Sequence, residues 1–157
     1  MAACFVALAM TSTVSLPTKA ATQHKLFHET FTGTYVVTGH HVLFSDAYGT
    51  VPGIGRIVLE LRLTFGADRG RRNYCASFAG TGTLASATKK GRVSLTLHGQ
   101  ECSDSRHPAY YLDAATYTVR GGSGKYAHAF GSGKVQGILS VGSNGTVIDR
   151  VNGTLTL

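Results

Sequence analysis

YTVRGGSGKYAHAFGSGKVQG, residues 117–137, is a short alternating run that breaks at one glycine cluster, restarts around Tyr126–Phe130 and breaks at a second. Glycine tolerates positive φ and close backbone approach, so such clusters mark turns, bulges and tight crossings between strands. The same grammar recurs along the chain. It predicts an all-β domain of short hairpins.

Working outward, Arg56–Phe65 alternates most clearly, with Ile57, Leu59, Leu61, Leu63 and Phe65 on one face. Its other face carries Arg56, Val58, Glu60, Arg62 and Thr64. Gly91–Gly99 alternates similarly, setting Val93, Leu95 and Leu97 against Arg92, Ser94, Thr96 and His98. Further strands are predicted over Lys25–Val37, His41–Phe44, Tyr74–Ala87, Ala109–Val119, Lys134–Val141 and Thr146–Leu157. Asn144-Gly145 reads as a type I′ hairpin tip and Lys89-Lys90-Gly91 as a second. The glycine-rich segments Val51–Gly55 and Gly66–Gly70 cannot continue a strand. Roughly eight to ten strands at hairpin spacing leave a closed barrel or a two-sheet sandwich. Closure removes the edges that a charge-poor β protein would otherwise have to guard, which favours an antiparallel β-barrel of about eight strands.

Composition bounds the class. At 157 residues the chain is a single domain, and 43% apolar with 15% charged residues excludes a disordered chain. Absence of tryptophan removes the immunoglobulin signature. Ala2–Leu16 is small and apolar, and Thr18-Lys19-Ala20 fits a signal-peptidase site, so residues 1–20 read as a signal peptide and 21–157 as one exported barrel domain. A buried N-terminal strand or helix is the alternative. The apolar run is too short to span a bilayer. Cys4 falls in the discarded segment, leaving Cys75 and Cys102, an even number that reads as a disulfide in an exported protein.

GGSGKYAHAFGSG (Gly121–Gly133) resembles the GGTGRFxxAxGxG hairpin of dirigent and allene oxide cyclase barrels, and of small secreted actinobacterial proteins built on that pattern. FAGTGTLAS (Phe78–Ser86) and VNGTLTL (Val151–Leu157) are similar to the same secreted group. The resemblance covers about half of residues 21–157. It implies an eight-stranded antiparallel barrel with the glycine motif late in the barrel. It transfers no catalytic residue, because the acidic and tyrosine pocket residues of those families lie outside the motif.

Several residue sets could carry chemistry. Tyr110, Tyr111, Tyr117 and Tyr126 concentrate near the motif and could line a pocket for a small apolar or phenolic molecule, or simply pack the barrel. Glu60, with Arg62 beside it, becomes the best acid–base candidate if that face of Arg56–Phe65 points inward. Arg69, Arg71 and Arg72 cluster in one loop, and Lys89 and Lys90 in one hairpin. With a formal net charge of +7 they suit an anionic surface, cell-wall polymers being the most accessible outside the cell. Solubility is the alternative role. Nucleic-acid binding would want aromatics alternating with bases on one strand face, and Tyr74 near Arg72 is the whole of that signal, so no nucleic-acid partner is expected.

Other chemistries find little. His24 and His28 are the one histidine pair spaced to share a strand face, and they have no third ligand, so no metal is expected. No GxSxG nucleophile motif occurs, and Gly121–Lys125 lacks the spacing of a phosphate loop, so no cofactor is expected. Asn152-Gly153 is read as a strand kink or bulge. The leading expectation is a non-catalytic barrel that binds a small ligand or serves the cell envelope as an interaction module. A cofactor-free isomerase, cyclase or dirigent-like guide is the alternative, and a basic module for anionic wall polymers is the third.

Overall fold

The computed structural model describes residues 24–39, 41–51, 54–66, 74–86 and 91–157. Eight strands follow one another: β1 (His24–Thr38), β2 (Val42–Val51), β3 (Gly55–Phe65), β4 (Cys75–Ser86), β5 (Arg92–Ser103), β6 (Tyr110–Gly122), β7 (Phe130–Ser140) and β8 (Asn144–Thr156). Each pairs antiparallel with the next, and β8 returns to β1 from Thr156↔His24 to Asn144↔Val36. The result is a closed antiparallel β-barrel, not a sandwich. Closure pairs every edge, which is the physical need inferred from the sequence.

Alternation dictates what fills it. Ile57, Leu59, Leu61, Leu63 and Phe65 of β3 all point inward and are buried. Phe31, Leu43, Leu59 and Leu139 are the largest apolar side chains among those buried almost completely, and each contributes roughly 1.5–3 kcal/mol by leaving water. One end of the barrel holds the β1–β2, β3–β4, β5–β6 and β7–β8 connections. There Cys75 stands in register with Cys102, their sulfurs 2.02 Å apart, at disulfide distance.

The opposite end is closed by the glycine motif. β6 stops at Gly122, and Gly124–Tyr126 forms a 3-10 turn, where a strand restart was expected. The alternation of Tyr126, His128 and Phe130 misled, because Tyr126 and Ala129 share the inner side at a spacing of three. Ala129 N–H donates to the Tyr126 carbonyl, and both side chains are buried across the barrel end. Gly124 sits at φ 60° in this turn, and a Cβ on Gly122 would stand 2.2 Å from the Tyr126 carbonyl oxygen. Both positions therefore require glycine.

Three other local expectations shift. The His41–Phe44 run is the start of a strand that continues to Val51. Asn144-Gly145 opens β8, while Val141–Ser143 makes the turn with Gly142 at φ 147°. Pairing of Asn144 with Val36 draws it into the ladder, and Tyr35 donates its hydroxyl hydrogen to the Ser140 carbonyl beside the turn. Asn152-Gly153 keeps regular register with β1 and β7. The bulge lies elsewhere, where the β5–β6 register slips between Ser94 and Leu95 and leaves Arg120 as the extra residue. The Lys89-Lys90 hairpin tip lies outside the described residues.

Candidate functional site

The interior divides into two zones. Toward the end closed by Tyr126, Phe27, Leu59, Leu84, Leu97, Tyr117, Val135 and Val151 surround an enclosed apolar space of about 10 Å³. That is room for about one water molecule. Tyr117 directs its hydroxyl at the Thr154 carbonyl, 3.3 Å away, and burial pushes its pKa up to about 12.

Toward the disulfide end the lining turns acidic. Glu101, Asp113, Gly137 and Asp149 are register partners on β5, β6, β7 and β8, all at inward-facing positions. Glu101 is fully buried and accepts a hydrogen bond from the Tyr74 hydroxyl, and the Tyr74 ring meets Tyr111 edge-on at 5.7 Å. Gly137 makes the room. A Cβ there would stand 2.9 Å from Asp149 Oδ1 and 3.0 Å from the Asp113 Cβ, so the two acids face each other across the space a methyl would fill. Asp149 is 3% exposed and its Oδ2 has no hydrogen-bond partner. Burial alone raises its pKa to about 7, because the charged form would lose its hydration without gaining a counter-ion.

The residues singled out from the sequence scatter. Tyr117 and Tyr126 are buried in the barrel, Tyr111 packs partly buried near the acidic layer, and Tyr110 is exposed on the outer side. Glu60 and Arg62 point outward, with Arg62 5.8 Å over the Phe44 ring, so the inward face of β3 is wholly apolar. Arg69, Arg71, Arg72, Lys89 and Lys90 lie outside the described residues, as does the side chain of His24. Among the described residues no group of three or more His, Cys, Asp or Glu is placed to hold a metal. No helix among them is long and apolar enough to cross a membrane.

Sequence reading missed Glu101, Asp113 and Asp149, although each shares the parity of apolar neighbours: Leu97 and Gly99, Tyr111 and Ala115, Val147 and Val151. It also missed what this parity does outside. Among the described residues, the outward positions of β5, β6, β7, β8 and β1 carry no carboxylate. They carry Arg92, His98, Lys134, Arg150 and His28, with Arg120 exposed at the bulge. Every acid on these strands faces inward and the described cations face outward. The wall is sorted by sign.

Register makes those cations neighbours. His98, Thr116, Lys134, Asn152 and His28 are successive cross-strand partners, and Gln136 pairs with Arg150. Lys134 and Arg150 are thus diagonal neighbours about 7–8 Å apart. His98 lies two strand spacings from Lys134, roughly 10 Å, and its Nε2 is 2.9 Å from the Thr116 hydroxyl. Comparison with known proteins adds no further constraint: no protein-family model, no curated protein and no solved structure matches this chain.

Proposed function

We propose that this protein is a non-catalytic interaction module of the cell envelope, exported and held on an anionic polymer by the outer wall of β5, β6, β7, β8 and β1. One observation carries the reading: that wall presents lysine, arginine and histidine with no described carboxylate among them. Spread over several strands at spacings of roughly 7–10 Å, these cations suit repeated negative charges along a chain rather than one compact anion. The filled interior supports the same reading, since a space of about 10 Å³ admits no substrate. Export rests on the apolar N-terminal sequence and on the cysteine pair at disulfide distance.

Titration of fluorescently labelled protein with long-chain polyphosphate tests this. Affinity falls steeply as salt rises from 50 to 200 mM, because each neutralised anion releases counter-ions. Lys134→Glu with Arg150→Glu weakens binding at least about tenfold at low salt. Absence of binding at low salt, or an unchanged affinity in the double variant, would overturn the reading.

A further inference from the structure

The sorted wall contains a feature that polymer binding does not use. Cys102, Leu112, Ile138 and Ile148 are successive register partners on four strands, forming an apolar row across the outside of the barrel. Leu112 is 37% exposed and Ile148 39%, and register sets both beside Ile138. Next to this row lie Gln100, Ala114, Gln136 and Arg150, again partners in register. Small residues there, alanine outside and Gly137 behind, let the surface sink into a groove of about 440 Å³. That volume lies within the range of small-molecule sites.

We infer that this groove is a binding site for a small apolar organic anion, its hydrocarbon body on Leu112, Ile138 and Ile148 and its anionic group on Arg150. Charge decides the occupant. Arg150 borders the apolar row and Lys134 stands diagonally beside it. Asp113 also lines the groove, but from an inward-facing position of β6 with its Oδ1 buried, and no described carboxylate stands at an outward position of these strands. The row spans three strand spacings, about 14 Å, which matches an extended or two-ring body. Gln100 and Gln136 supply amide donors and acceptors along the flank. An uncharged apolar ligand would leave Arg150 unused, and a bare anion would leave the row exposed. Only a molecule with both parts uses the whole groove.

8-Anilino-1-naphthalenesulfonate is the probe, read by fluorescence on the folded protein. It binds at one site with enhanced emission, whereas its uncharged counterpart N-phenyl-1-naphthylamine and inorganic sulfate each bind at least about tenfold more weakly. Ile148→Asn, at an exposed position that leaves the core intact, weakens the probe about tenfold, as expected for losing one buried aliphatic contact. Arg150→Gln weakens it about tenfold and so removes most of the preference over the uncharged counterpart. Polyphosphate affinity separates this site from the polymer surface, since Ile148→Asn leaves it unchanged. Equal binding of charged and uncharged probes, or an Ile148→Asn variant that binds as the parent does, would refute the inference.

Discussion

On the outer face of β2 and β3, Asp46 stands opposite Glu60, while Arg62 and Arg56 lie over the Phe44 and Tyr48 rings at 5.8 and 5.6 Å. On the outer faces of β5 to β8 and β1, no described residue is a carboxylate, and the acids of those strands occupy the interior instead. Both walls belong to one cylinder and obey one alternation. The difference lies in where each sequence puts its acids. A wall of mixed signs cancels its own field within a few residues, whereas a single-signed wall extends its field to the Debye length. Keeping Glu101, Asp113 and Asp149 inside has an internal consequence as well: toward the disulfide end the inward faces of β5, β6 and β8 carry acids, whereas the inward face of β3 is apolar throughout.

Perturbing that internal acid gives the largest expected effect. Asp149 titrates near 7 in the fold against 3.8 as a free side chain. Its contribution is complete below the free value, declines as pH rises, and is gone above the folded value. Relative to Asp149→Asn, the parent should lose about 4 kcal/mol of unfolding free energy between pH 4 and pH 8. Urea melts of both proteins across that range read the difference, and parallel curves would remove the buried acid from the account. Replacing Cys75 and Cys102 with serine should lower stability by roughly 3 kcal/mol, since the bridge closes a loop of 27 residues. A loss under about 1 kcal/mol in thermal unfolding would show that the disulfide-pinned end holds itself together without the bridge.

Gly137→Ala comes next. The added methyl collides with Asp149 and Asp113 and should destabilise by about 1–3 kcal/mol, with unfolding midpoints as the readout. The same substitution at exposed Ala-like sites would be nearly silent, so a neutral Gly137→Ala would mean the two acids do not face each other. The smallest effect belongs to the mixed wall. Asp46→Asn removes a like-charge register pair with Glu60 and should raise stability by a few tenths of a kcal/mol at low salt.

The barrel itself was readable because β3 spells it out: five apolar residues at even spacing can serve no structure but a half-buried strand. The plug was not, because Tyr126, His128 and Phe130 imitate that spacing while the backbone follows three-residue turns around Gly124. Glu101 was not legible because the apolar alternation Val93–Leu97 breaks at Gly99, although the strand continues to Ser103. Basic residues adjacent in sequence, such as Arg71 and Arg72, are legible as a cluster directly, whereas the cations of the wall are not. Lys134 and Arg150 are sixteen residues apart in sequence and meet only through the β7–β8 register, which no local pattern specifies.

A matched pair of charge reversals tests the central claim most directly. Lys134→Glu/Arg150→Glu and Arg56→Glu/Arg62→Glu change net charge by the same amount on the two walls. Polyphosphate affinity at low salt should fall at least about tenfold in the first variant and by no more than about threefold in the second. Equal losses in both would mean that net charge alone governs binding, and the sorted wall would have no function of its own.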